Sequence, residues 1–338
     1  MIVRSFNSGF EVQDWTEEVN VIPNQWGTIG QLGIFQTEAI AEHVVVFEET
    51  IKDGALLVDR VRGDRGTQGK DASRKLHTFA VPHFPHDDYI SPQDLQGKRA
   101  YGSQGVETLE AVRARKLERI RQNHAWTLEY ARAQAITAAT VYAPNGTVSQ
   151  NWNTEFGVTR LSVDFTLGTS TTEVIAKIEA GLAQIADNAF GETVSGTVVL
   201  TSPEFFAKLI AHPSVKVAYQ YYQQSGMNPL RERLGGANAL HREFEFGGTR
   251  FVEMRDTYAG NRLIPVGKAY MVPLGTSNTF KTYFSPANRF GLVNTLGEQV
   301  YVFENADQKG TKIELESESN FVNALLRPAL IVEFTTSN

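Results

Sequence analysis

The chain has 338 residues, 41% hydrophobic and 21% charged, enough for two cores or one core with long extensions, and a composition that argues against disorder as the dominant state. It contains no cysteine, so disulfides, thiolate metal sites and cysteine nucleophiles are excluded together. A net charge of −6 argues against a nucleic-acid-binding surface as the main function, and no signal-peptide-like or membrane-length apolar run occurs, so synthesis is expected to end in the cytoplasm.

From Met1 to about Gln36, scattered aromatics (Phe6, Phe10, Trp15, Trp26) sit among Gly and Pro with no sustained period. This predicts an extended arm. Such a segment has too few local partners to fold alone, so its aromatics must dock on the chain's own body or on a neighbour.

Two runs rich in Val, Leu and Phe follow, EHVVVFEETIKDGALLVDRV and RKLHTFAVPHF, and predict a pair of antiparallel strands. From Glu48 to Arg60 alone such a strand reaches about 40 Å. A two-stranded ribbon that long is marginal in water and must rest on something outside its own domain. Its tip, RVRGDRGTQGKDASRK, is glycine-dotted and basic. A phosphate-binding loop does not fit, because Gly63 and Gly69 stand one residue too far apart and Asp71 occupies the place of the magnesium-binding hydroxyl. Arg62-Gly63-Asp64 spells an adhesion tripeptide, but its use would require export, for which the chain carries no signal.

The passage FPHDDYISPQDLQGKRAYG is turn-rich. His83, His86, Asp87 and Asp88, with His77 upstream, form the most site-like cluster, and a metal-dependent enzyme built on it is the alternative reading of function. Pro82 and Pro85 argue against the helix that would bring the two histidines together. The plainer expectation is a polar turn closing the hairpin, with Asp87 or Asp88 capping backbone N–H groups. Neither a cofactor nor a metal is expected.

The period then changes. Val106, Leu109, Val112, Leu117, Ile120, His124, Leu128, Ala131, Ala135 and Ala138 recur at helical spacing, which predicts an amphipathic helix from about Gln104 to Ala139, roughly 50 Å long. Charges are expected on its other face, with Glu110–Arg113, Arg115–Glu118 and Glu129–Arg132 paired at i,i+3. Beyond it, strands are expected at Arg160–Leu167, Thr197–Thr201, Glu243–Phe246, Thr249–Arg255, Ala269–Pro273, Gln299–Glu304, Thr311–Glu316 and Ala329–Phe334. Helices are expected at Thr171–Ala189, capped by a hydroxyl from Ser170–Thr172, and at Pro203–Ala211 after Ser202. The order is mixed α+β without regular βαβ alternation. Glu243 with Glu245 and Glu314 with Glu316 could suggest a carboxylate pair for glycoside chemistry, but alternation with Phe, Ile and Leu assigns them to solvent faces of half-buried strands.

The ordered set HFPHDDYISPQDLQGKR, SGTVVLTSPEFFAKLIAHPSVKVAY, GGTRFVEMRDTYAGNRLIPVGKAYMVPLG, FSPANRFGLVNTLGE and ESESNFVNALLRPALIVEF, together with the layout of arm, hairpin and long helix, resembles the lambda-like major capsid protein E family of tailed bacteriophages. The last motif departs from that family's common Asn-Pro-Leu, having Asn320-Phe321-Val322. The resemblance implies an α+β Hong Kong 97-like fold: an N-arm over 1–36, an E-loop hairpin over 37–85, a peripheral domain over 86–169 carrying the spine helix, an axial domain over 170–297, and a return to the peripheral domain over 298–338.

It further implies that the E-loop tip, through Arg60, Arg62, Asp64, Arg65, Lys70, Arg74 and Lys75, and the arm, through Phe6, Phe10, Trp15 and Trp26, contact neighbouring subunits. Glycines would let the tip change angle as a shell expands. The implied partners are copies of the chain in hexamers and pentamers, a portal, a possible decoration protein, and double-stranded DNA enclosed without sequence-specific binding. No membrane is expected. No long charged helical segment precedes the arm, so the expectation is a separate scaffolding protein, or prior cleavage of one.

Overall fold

The computed structural model describes residues 4–6, 10–22, 27–51, 73–96, 108–189, 191–224, 242–307 and 310–337. The N-terminal part holds strands β1 (Arg4–Phe6) and β2 (Phe10–Asp14), short helices α1 (Thr16–Val21) and α2 (Thr28–Gln31), and strand β3 (Gln36–Ala39). It is therefore not simply an extended arm. The reason is long-range pairing: β2 joins a strand from the far end of the chain at Phe303↔Asp14, and β3 runs parallel to Phe280–Phe284.

Strands β4 (Val44–Ile51) and β5 (Ser73–Ala80) form the expected antiparallel ribbon, in register from Val44↔Ala80 to Ile51↔Ser73. The polar turn expected over His83–Asp88 is instead strand β6 (His83–Ile90), paired with Ile313–Asn320. Pro85 is accommodated because β6 has one neighbouring strand among those described, the edge position where a missing N–H is tolerated.

The long helix α3 runs from Leu109 to Ala138, 30 residues and about 45 Å. It starts later than the periodicity predicts because Thr108 is extended and its hydroxyl accepts from the Ala111 N–H at 3.2 Å, the geometry of an N-cap. Then follow α4 (Trp152–Glu155), β7 (Ser162–Asp164), α5 (Val174–Asn188), β8 (Gly196–Thr201), α6 (Pro203–Ala211) and α7 (Pro213–Gln224). Strands β9 (Glu243–Phe246), β10 (Thr249–Glu253), β11 (Thr257–Tyr258), β12 (Asn261–Arg262), β13 (Lys268–Leu274), β14 (Phe280–Phe284), β15 (Tyr301–Ala306), β16 (Ile313–Leu325) and β17 (Val332–Thr335) complete the order.

Two details correct the sequence reading. The strand expected over Arg160–Leu167 is cut to β7 because the Asp164 carboxylate accepts from Thr166 N–H at 2.9 Å and Thr166 turns to φ 40°. The hydroxyls of Ser170–Thr172 do not cap α5: its N-cap is Glu173, and Thr172 bonds Thr166 instead.

One sheet has seven strands, in the order β1-β2-β15-β16-β14-β3, with β6 also pairing β16. The second has six, in the order β7-β17-β13-β8-β10-β9. In β8, Val198 and Leu200 face one core while Val199 faces another, so the apolar run TVVLT is buried on both sides. Helix α5 packs closely on the second sheet at Gly181, where a Cβ would stand 2.9 Å from the Phe334 ring. Helix α3 lies across the first sheet, with Val112, Leu117 and Ile120 against Ile90, Val302 and Leu315, and Leu128 and Ala131 against Phe284 and Phe321.

Candidate assembly surfaces

The structure places the residues of the proposed metal cluster apart. Alternation along β6 sends His83 and Asp87 to one face and His86 and Asp88 to the other. His86 Nε2 lies 3.0 Å from Asn123 Nδ2, and Asp88 accepts from Lys116 Nζ at 2.7 Å, both on α3. His83 Nδ1 lies 2.7 Å from Asn320 Oδ1 on the opposite side. Among the described residues, no three His, Asp or Glu side chains are grouped as metal ligation requires. His77 is spoken for elsewhere: it is buried in β5, with Nδ1 2.6 Å from Glu155 Oε1. That hydrogen bond holds the Glu155 carboxyl below the usual carboxylate range. Three of the four strand carboxylates are ion-paired, Glu243 with Arg250, Glu314 with Lys312 and Glu316 with Arg289, and Glu245 is exposed.

The His77–Glu155 contact belongs to the ribbon's anchorage. Val45, Phe47, His77 and Phe79 face the body, where the Phe47 ring lies 5.3 Å from Tyr283 and the Phe79 ring 4.7 Å from Trp152. The other face presents Val44, Val46, Leu76, Thr78 and Ala80 to solvent, with Leu76 68% exposed. Arg60, Arg62, Asp64, Arg65 and Lys70 lie outside the described residues. Arg74 is placed by its backbone in β5, and the exposed Lys75 donates to the Glu155 carbonyl at 3.4 Å.

In the N-terminal segment, Phe6 and Phe10 are register partners across β1 and β2, and Trp26 lies outside the described residues. Trp15 is half-buried on the chain's own body: the Arg113 guanidinium sits 5.0 Å from its ring, beside Val19, Ile90 and Val112. Arg113 thus pairs with Glu304 at 2.8 Å and with Trp15, and the expected pairing with Glu110 is not what occupies it.

Sequence periodicity missed a buried polar row on α3. Arg121, Glu129 and Arg132 are buried rather than on a charged outer face, beside His124, which the helical period places on the buried stripe. Glu129 accepts from the Ile29 N–H at 2.5 Å and from the Gly30 N–H at 3.1 Å, fastening the N-terminal segment to the helix. Burial pushes its carboxyl up to about 7, against the opposing pull of Arg132 and the two N–H groups. Arg132 reaches Thr282 and lies over the Phe35 ring at 5.6 Å. The available signal was compositional: EYARAQA sets two charges among small residues, the kind of surface another backbone can approach closely.

Described residues include no helix long and apolar enough to cross a membrane. A family model described as Phage major capsid protein E matches residues 11–336. The chain is 45% identical over 345 residues to the major capsid protein of Pseudomonas phage KPP10, covering 98% of both chains. It is 30% identical over 364 residues to the major capsid protein of Salmonella phage Felix O1, again covering 98% of both. Among solved structures it is similar to the asymmetric unit of the bacteriophage PhiM1 mature capsid, with a TM-score of 0.58 at 12% identity, over 100% of this chain and 91% of that one.

Proposed function

The chain belongs to the phage major capsid protein E family and is a major capsid protein of a tailed phage with a Hong Kong 97-like fold, and from that premise we propose that its ribbon and N-terminal segment carry the contacts joining one copy to the next. Its copies form the shell of a phage virion. The observation that carries the proposal is the ribbon itself: one face is fastened to the body by Phe47, His77 and Phe79, while the other is apolar and bare. A two-stranded ribbon with one bare apolar face gains stability when another surface covers it.

In this reading, residues 1–36 are the N-arm and 37–85 the E-loop. Residues 86–169 form the peripheral domain, 170–297 the axial domain, and 298–338 return to the peripheral domain. The basic tip residues Arg60, Arg62, Arg65, Lys70, Arg74 and Lys75, tempered by Asp64, meet carboxylates on the adjacent subunit. Phe6, Phe10, Trp15 and Trp26 serve the arm's contacts, with Trp15 shared between its own body and the interface. The function is assembly rather than turnover. Individually modest interfaces become durable when repeated in hexamers and pentamers. Assembly takes place in the host cytoplasm around a separate scaffolding protein, or one removed by prior cleavage, and with a portal. The enclosed DNA is not bound by sequence, and a net charge of −6 per copy discourages its adhesion to the wall.

Sedimentation and negative-stain microscopy of the chain, alone and with its scaffolding protein, test this reading. Closed shells, sheets or tubes are expected, and deletion of residues 62–70 should reduce them to capsomers or monomers. A monomer under every condition would overturn it.

A further inference from the structure

The segment between β14 and β15 holds three large apolar side chains in solvent: Phe290 is 91% exposed, Val293 62% and Leu296 66%. Scattered exposed apolar residues are ordinary, but three within seven positions of one loop form a patch. The loop beneath them is built, not loose. Ala287 is buried and Leu292 half-buried against Tyr301 and Phe303. Arg289 stacks on the Phe303 ring at 3.9 Å and bonds Glu316.

Backbone bonds close the rest. Leu292 N–H donates to the Arg289 carbonyl at 2.9 Å, and the Thr295 hydroxyl donates to the Leu292 carbonyl at 2.8 Å. The Tyr301 hydroxyl accepts from Glu298 N–H at 2.8 Å and donates to the Leu296 carbonyl at 3.3 Å. At the loop's end, Gly297 is compelled: a Cβ there would stand 2.2 Å from the Phe284 carbonyl oxygen. These contacts turn Ala287, Arg289 and Leu292 inward and leave Phe290, Val293 and Leu296 outward, so the apolar display is fixed by the fold.

The loop also shares its root with the ribbon. Gly297 N–H donates to the Ile40 carbonyl at 3.0 Å, and His43 Nδ1 lies 2.9 Å from Ser285 Oγ. Each copy therefore carries, from one shared root, an exposed apolar loop patch and an exposed apolar ribbon face (Val44 37%, Val46 51% and Leu76 68% exposed). Two different bare patches on one chain are what a head-to-tail contact between identical subunits requires, and such contacts generate rings when the rotation between copies closes. Phe290, the most exposed of the three, is of the residue type that anchors interface cores.

Resting on the capsid reading above, we propose that Phe290, Val293 and Leu296 of one copy pack on the outward Val44–Val46–Leu76 face of the β4–β5 ribbon of a neighbouring copy.

The absence of cysteine from the chain makes this directly testable. Phe290→Cys and Val46→Cys are prepared as separate single variants, co-assembled with the scaffolding protein, and oxidised. A cross-linked dimer of the two different variants, formed in shells and absent from unassembled subunits, is the expected result. The thiol introduced by Phe290→Cys should also react with a maleimide at least tenfold more slowly in shells than in free subunits. A Phe290→Ser variant should raise the concentration needed for assembly at least tenfold while leaving the subunit's melting temperature unchanged. Shells of the Phe290→Cys variant that form normally with the introduced thiol as reactive as in the free subunit, or with no mixed cross-link, overturn the contact and leave the capsid reading standing. A wild-type chain that forms no shells overturns the capsid reading itself.

Discussion

Gly27 and Glu129 approach so closely that no side chain fits between them: a Cβ on Gly27 would stand 2.6 Å from Glu129 Oε2. Gly27 also holds φ at 112°, a conformation that only glycine adopts without strain. Gly27→Ala should therefore destabilise the subunit by about 2 kcal/mol or more, combining backbone strain with displacement of the carboxylate. Urea unfolding of the unassembled subunit measures it. An unchanged midpoint would show that the segment is not fastened at this point.

Glu129 itself should make stability depend on pH. Its carboxyl in the folded chain lies near 7, above the ordinary value of 4.5. The folded state thus binds the proton more tightly, so the contribution is full below about 4.5 and is lost as pH rises through about 7. Glu129→Gln removes this titration while keeping one acceptor for the Ile29 and Gly30 N–H groups, and costs about 1 kcal/mol for the other. The melting temperature of the variant should change less than that of the wild type between about pH 5 and pH 8. Equal slopes for the two proteins would refute the assignment.

His124 acts in the opposite sense. Burial, with His86 and Arg121 nearby, drives its imidazolium down to about 3, and the neutral ring meets Ser317 Oγ at 3.0 Å. A depressed folded-state value stabilises the fold above about 6.5, and that stability is lost as pH falls toward about 3. His124→Gln should therefore soften acid unfolding, whereas Glu129→Gln should not. Acid titrations of the two variants followed by circular dichroism separate the contributions.

The stacking of Arg113 on Trp15 holds the start of α1 against α3. Trp15→Ala removes that contact and the packing with Val19 and Ile90, at a cost on the order of 3 kcal/mol locally. Hydrogen exchange should rise in residues 13–22 and leave the second sheet unaltered. A uniform rise across both sheets would mean that the segment folds as part of the global unit.

The sequence by itself determined the elements whose period is local: the ribbon, the long helix, α6 behind Ser202, and strands such as β8 and β13, where apolar runs and capping residues suffice. It also carried the ordered motifs that identify the family. What it left to the tertiary structure was every feature set by a partner far along the chain. The stretch His83–Asp88 reads as a turn because it contains Pro and Asp, yet it becomes a strand because Ile313–Asn320 lies beside it. Glu129 and Arg132 read as an exposed i,i+3 pair, yet they are buried because the N-terminal segment, about a hundred residues earlier, brings its N–H groups to the helix. Likewise Phe290 stands in solvent because Arg289 and Leu292 turn inward onto Phe303 and Tyr301. Hydrophobic period is a property of neighbouring residues, whereas burial of a charge or exposure of an aromatic depends on which distant backbone closes over it.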